Sequence, residues 1–313
     1  MKMNILYIDQ GGVVSDSYMY QYYGDLFREL RELTNLYLFE GSIQDMNTLI
    51  GNAPVKFDAI IFGLGYFAQS MTSNFKKIKG LSEIKIPVVC MLHKPQNMLE
   101  QKINFCKVNK VDILLDYFQN KDDLIAKKIV RSWFTASPKI FHPRDIPVEY
   151  DIGFSGALHG KDKIQGPTRN LRTRVGNYLN SSDKYKVYWN SGNNLDYRIN
   201  SMEEYASQMN KCKAWLGTTG PVNDISPRYF EVALSKVLLL CNNMPEVNNP
   251  IFIDGETCVT FENDMSNFEE KLNFYLENDD QRKKIIDNAY ELVFYNYTWK
   301  HMALSLLDEI RSA

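Results

Sequence analysis

Ser226-Pro227-Arg228-Tyr229-Phe230-Glu231-Val232-Ala233-Leu234-Ser235-Lys236-Val237-Leu238-Leu239-Leu240 reads as a charged turn, a short helix and a buried strand in immediate succession. Pro227-Arg228 forms the turn, and Glu231 is expected on the first turn of the helix as its one carboxylate. A carboxylate near a helix N-terminus complements the helix dipole. Arg228 and Glu231 also stand three residues apart, which puts them on one helix face. A cation for a phosphate and an acceptor for a ribose diol would suit the mouth of a nucleotide site. At this level both readings of Glu231 stand.

The same rhythm extends outward through the chain. Strands are expected at residues 5–8, 36–39, 57–62, 87–92 and 111–116, with helices at 18–33 and about 122–133. A second series opens with a strand at 150–155. It continues through a helix at 169–179, a strand at 185–189, a helix at 202–211, strands at 214–218, 237–241 and 258–261, and helices at 268–277, 280–294 and about 298–311. Short apolar runs separated by helices imply parallel strands with both faces covered. Residues 137–148 break the pattern with Pro138, Pro143 and Pro147, as a linker does. We therefore expect an α/β protein of two Rossmann-like, doubly wound domains facing a cleft, over 1–145 and 146–295, with 296–313 as a terminal helix. In that helix Trp299, Met302, Ala303, Leu306, Leu307 and Ile310 recur at helical spacing and need a partner surface.

Composition narrows the function classes. The 313 residues suffice for two domains, and 44% apolar residues can build full cores. A formal net charge of -2 gives no sign of a nucleic-acid binder. The five cysteines, Cys90, Cys106, Cys212, Cys241 and Cys258, are scattered and odd in number, without a C-x-x-C pair. That spacing argues against a disulfide framework or a zinc site and for a reducing compartment. The first residues lack the features of a signal peptide, and no apolar run reaches membrane-spanning length, so a cytoplasmic protein is expected. Between Lys76 and Lys110 eight lysines face only Glu83 and Glu100. Such a run is a solvated surface, or it docks an anionic acceptor or an acidic lipid surface, which would make the protein peripheral to a membrane.

In open α/β sheets ligands bind at the carboxyl ends of strands, so the loops there carry the candidate chemistry. Gly156-Ala157-Leu158-His159-Gly160 is a glycine-bearing turn before a helix with Arg169 and Arg172. Exposed N–H groups and guanidiniums would suit a pyrophosphate, and a loop before a solvated basic helix fits the same spacing. His93, after the fourth strand, is a candidate base near neutral pH or a structural histidine. His159 is a candidate donor contact, while His142 and His301 read as structural. Asp9 and Asp16 flank Gly11-Gly12, where a carboxylate would face an acceptor hydroxyl. Asp16 also fits as the cap of the following helix. Gly63-Leu64-Gly65-Tyr66-Phe67-Ala68 formally matches a dinucleotide fingerprint. It follows the third strand and lacks the acidic residue beyond the next one, so it is read as a cleft loop. Trp189, Tyr188 and Trp215 could stack on a base or fill the core.

The segment Arg228-Tyr229-Phe230-Glu231 before a buried strand resembles the donor-binding segment of GT-B glycosyltransferases. Tyr150-Asp151-Ile152-Gly153-Phe154-Ser155-Gly156-Ala157-Leu158 resembles the opening of the C-terminal domain in their spore-maturation-type members, relatives of the group 1 glycosyltransferases. The likeness continues in order through Ser201-Met202-Glu203-Glu204-Tyr205, Leu216-Gly217-Thr218, residues 228–240 and 268–276, and Tyr297-Thr298-Trp299-Lys300-His301. It covers roughly the last half of the chain. Over the first half only the strand–helix rhythm agrees.

The resemblance implies transfer of a sugar from a nucleotide diphosphate sugar to a hydroxyl on a glycan, lipid-linked or small-molecule acceptor. It implies a C-terminal donor domain, an N-terminal acceptor domain and a terminal helix that crosses back to the N-terminal domain. Donor contacts would come from Gly156, His159, Arg172, Thr218, Arg228, Tyr229 and Glu231, with Glu231 on the ribose. On the other side Gly12 would contact substrate, and His93 and Asp16 would serve the chemistry. No cofactor or essential metal is expected. The chain departs from the group 1 signature in two places. Asn223, beside Asp224, stands where a second Glu is usual, and Lys236 replaces a Gly. A nucleotide-sugar epimerase or hydrolase on the same fold, or a non-catalytic assembly protein, is the alternative.

Overall fold

A computed structural model describes residues 2–9, 18–68, 75–92, 98–116, 125–158, 168, 170–191, 199, 201–220, 225–244 and 249–313. In chain order the elements are β1 (Asn4–Asp9), α1 (Tyr18–Leu33), β2 (Asn35–Glu40), α2 (Met46–Gly51), β3 (Ala59–Phe62), α3 (Leu64–Ala68), β4 (Val88–Leu92), α4 (Leu99–Val108), β5 (Ile113–Asp116) and β6 (Lys128–Arg131). They continue with β7 (Tyr150–Ser155), α5 (Leu171–Asn180), β8 (Val187–Asn190), α6 (Met202–Asn210), β9 (Cys212–Gly217), α7 (Pro227–Leu234), β10 (Leu238–Asn242) and β11 (Val259–Phe261). The helices α8 (Phe268–Glu277), α9 (Asp279–Asn296) and α10 (Trp299–Ser312) close the chain. Two compact units result: Met1–Trp133 with Trp299–Ala313, and Phe134–Thr298.

In the first unit the strands run in the order β2-β1-β3-β4-β5-β6, and each neighbouring pair is parallel. The apolar runs of β3, β4 and β5 are buried throughout, as covered parallel strands must be. Alternate residues Leu6, Ile8, Ile60, Phe62, Val88, Cys90 and Leu114 join one core with Phe105 of α4. Three expectations fail here. Residues 128–131, placed in a helix from the sequence, form the strand β6 instead, with Ile113 opposite Lys128 on β5. Ile129 and Val130 are β-branched and suit the open edge that β5 presents. Residues 64–68, read as a loop, form the short helix α3. Asp9 is fully buried rather than turned toward a ligand, and it accepts the backbone N–H of Gly65 at 3.2 Å. A Cβ at Gly63 would run into the Asp9 carboxylate and the Tyr7 ring, so only glycine lets this loop pass.

The helix α10 belongs to the first unit and packs against α1. Its buried stripe is Trp299, Ala303, Leu306, Leu307 and Ile310. Met302 is half-buried, with the Ser132 hydroxyl 3.5 Å from its sulfur, and Glu309 pairs with Lys128 of β6.

The second unit has the parallel order β11-β10-β9-β7-β8. Ile152, Phe154, Ala214, Leu216, Leu238 and Leu240 pack in one core with Leu171 and Val175 of α5. The segments by which the chain enters and leaves this unit lie side by side. Ala136 bridges Thr298, and the Thr135 hydroxyl donates to the Tyr297 carbonyl. The carboxyl ends of β7, β9 and β10 deliver residues 155–157, 218–219 and 242–243 to one edge of the sheet.

Candidate functional site

That edge gathers charge around one aromatic ring. Phe154 of β7 lies opposite Trp189 of β8 in the strand register, and their rings stack with centroids 4.5 Å apart. Arg172, on the first turn of α5, and Arg228, on the first turn of α7, place their guanidinium carbons 5.7 and 5.3 Å from the Phe154 centroid. Cations favour the face of an aromatic ring, so Phe154 holds two of them at once.

Arg172 is buried. Its Nε donates to Thr218 Oγ1 and its Nη1 to the Ala157 carbonyl, both at 2.6 Å. Among the described residues no ion pair forms on it. Burial, and after it the Arg228 charge, pushes Arg172 down to about 9, which leaves it a cation at neutral pH. Arg228 donates from Nη2 to the Ser155 carbonyl at 2.6 Å and from Nε to the Tyr205 hydroxyl at 3.3 Å. That hydroxyl donates in turn to Glu231 Oε2 at 3.0 Å. Glu231 is only 2% exposed.

Gly156 makes the close approach of Arg228 feasible. Its φ is +149°, and a Cβ there would lie 2.7 Å from Arg228 Nη2. Next to the two arginines, α7 opens on Ser226 and Pro227, and no side chain caps its first turn. Two guanidiniums that converge on one ring beside a helix N-terminus form a place where an anion would relieve their mutual repulsion.

Residues 153–308, about half of the chain, match the family described as glycosyl transferase-like. Similar folds occur in HepE of Anabaena, solved in complex with UDP-glucose, at 11% identity over 99% of this chain and 100% of that one, with a TM-score of 0.63. The sucrose-phosphate synthase of Thermosynechococcus elongatus has 11% identity over 99% of both chains and a TM-score of 0.60. An alpha-glucosyltransferase, solved with UDP and a 13-mer DNA containing an HMU base, has 10% identity over 100% of both chains and a TM-score of 0.58. The chain belongs with the GT-B glycosyltransferases. No curated protein matches this glycosyltransferase significantly in sequence.

The glycosyltransferase brings together Arg172, Gly156, Thr218, Arg228 and Glu231 at this edge. Thr218 is buried, and its hydroxyl accepts from Arg172. Glu231 is not on the first turn of α7, because the helix begins at Pro227. The dipole explanation for this carboxylate therefore falls, while the shared face with Arg228 is realised at Tyr205. Tyr229 points into the core: it is fully buried against Phe252, and burial raises its phenol pKa. Gly12, Asp16, His93 and His159 lie outside the described residues.

Trp215 is a core residue stacked on half-buried Tyr188, while half-buried Trp189 backs Phe154. His142 is exposed in the connecting segment, and His301 is half-buried on α10, where burial lowers its pKa. Sequence reasoning missed Phe154 as the platform and Tyr205 as the bridge. Phe154 looks like any inward residue of a strand, and Tyr205 is 26 positions from Glu231. Also missed was the fully buried Asn242 at the end of β10, whose Oδ1 accepts the Thr219 N–H at 2.9 Å. No helix among the described residues is long and apolar enough to cross a membrane.

Proposed function

We propose that this glycosyltransferase moves a sugar from a nucleoside diphosphate sugar to an acceptor hydroxyl, with the diphosphate at Arg172 and Arg228 and the ribose at Glu231. The observation that carries this reading is the convergence of the two guanidiniums on Phe154, beside the N-terminus of α7. As the glycosidic bond breaks, charge develops on the leaving diphosphate. Preorganised cations in a site shielded from water stabilise that charge more than water does. The arginines and the α7 N-terminus carry this task, and no metal is given a part in it.

The acceptor side is assigned to the first unit, with Gly12 as a contact and His93 and Asp16 as candidate bases for the hydroxyl proton. Lys76, Lys77, Lys85 and Lys110 of that unit are exposed. They suit an anionic acceptor or the anionic headgroups of a membrane on which a lipid-linked acceptor would sit. HepE was solved with UDP-glucose, which makes that compound the first probe. The test is calorimetric titration of the protein with UDP-glucose, UDP and uridine, followed by product analysis with and without acceptors. Saturable binding of UDP above uridine, with UDP released only when an acceptor is present, is the expected result. Donor turnover without acceptor would replace transfer by hydrolysis or epimerisation. Absence of binding to any nucleotide would leave an assembly protein.

A further inference from the structure

We infer that Tyr205 is a positioning residue that couples the phosphate-binding Arg228 to the ribose-binding Glu231; this rests on the reading of α7 as the nucleotide-binding helix. The Tyr205 hydroxyl uses both of its hydrogen-bonding roles at once. It accepts from Arg228 Nε at 3.3 Å and donates to Glu231 Oε2 at 3.0 Å. Both partners belong to α7, whereas Tyr205 belongs to α6. The hydroxyl is therefore held by a different element from the two charges it joins.

Its position is well determined. The Tyr205 ring is 3% exposed and meets Phe141 and Trp215 edge-on, with centroids 5.9 and 5.8 Å away. Ser201 caps α6, accepting the Glu204 N–H at 3.0 Å. A carboxylate that accepts two vicinal hydroxyls must present its oxygens in one orientation. The charge-assisted bond from Tyr205 fixes that orientation before any ligand arrives. The same hydroxyl keeps Arg228 from rotating away from Phe154 and the Ser155 carbonyl. Discrimination for a ribose diol is thus built into the pairing of α6 with α7, and not into Glu231 alone.

The test compares UDP with 2′,3′-dideoxy-UDP in titrations of the full chain. Tyr205→Phe keeps the ring, so the melting temperature reports whether the core survives. In the unaltered protein UDP should bind about 10-fold or more tightly than the dideoxy compound. In Tyr205→Phe that ratio should fall to about 1–3, through weaker binding of UDP. In a Glu231→Ala background, Tyr205→Phe should change UDP affinity by less than about 2-fold, because coupled residues are not additive. A Tyr205→Phe protein that keeps the full ratio overturns the proposal, and so does a loss of the same size with and without Glu231. If the unaltered protein fails to bind UDP, or does not distinguish the two compounds, the nucleotide reading of α7 falls and the role of Tyr205 falls with it.

Discussion

Arg172 and Arg228 lie over the same ring, their guanidinium carbons 5.7 and 5.3 Å from the centroid of Phe154. Burial, and after it the repulsion of the Arg228 charge, depresses the Arg172 pKa. An anion bound between the two arginines would relieve that repulsion. Arg172→Ala and Arg228→Ala should each weaken UDP much more than uridine, because only UDP carries the charge being paired. The difference should reach about 1.5–3 kcal/mol at low salt, the range for charge-assisted hydrogen bonds. Equal losses for both ligands in titration calorimetry would assign these arginines to packing.

Glu231 is buried against Tyr205 at 3.0 Å. Glu231→Ala should weaken both UDP and uridine by about 1.5–3 kcal/mol, since the ribose is common to the two. Glu231→Gln, which keeps shape and one acceptor oxygen, should recover part of that loss. Unchanged uridine affinity in either variant would remove Glu231 from the ribose.

Lys236 follows α7 with φ +54°, at the position where the related signature carries glycine. A left-handed helix end costs a residue with a Cβ about 1 kcal/mol, which glycine avoids. Lys236 offsets part of this by pairing with Asp287 at 3.0 Å and lying over Tyr290 at 4.6 Å. Lys236→Ala loses those contacts and keeps the strain. Lys236→Gly should therefore be more stable than Lys236→Ala by about 1 kcal/mol in urea unfolding. A more stable alanine variant would show that the backbone is relaxed here.

Leu306 of α10 is buried within the first unit, far along the chain from every strand of that unit. Leu306→Ala should cost about 2–5 kcal/mol, the range for a buried leucine truncated to a cavity. Removal of residues 299–313 should expose the apolar surface of α1 and make the chain insoluble or unfolded. A truncated chain that keeps its melting temperature and activity would contradict the packing.

The architecture was largely legible in the sequence. Buried parallel strands need apolar residues on both faces, and the helices between them need a repeat near 3.6, so runs such as Val88–Leu92 announce themselves. The helix–strand unit at 226–240 was legible for the same local reason, and the spacing of Arg228 and Glu231 by itself put them on one face. Residues 128–131 were misread because a run of four with two β-branched members has no period long enough to choose between helix and strand. Only the open edge of β5 decides it.

The site was less legible. Phe154 becomes a platform because the register of β7 and β8 sets it beside Trp189. It gathers Arg172, which bonds Ala157 from 15 positions away, and Arg228, which bonds Ser155 from 73. Tyr205 joins two charges through a hydroxyl that local sequence leaves indistinguishable from any other buried tyrosine. Contacts between elements distant in the chain depend on register and helix placement. Those are set by how whole faces pack, and a residue's neighbours in sequence do not encode them.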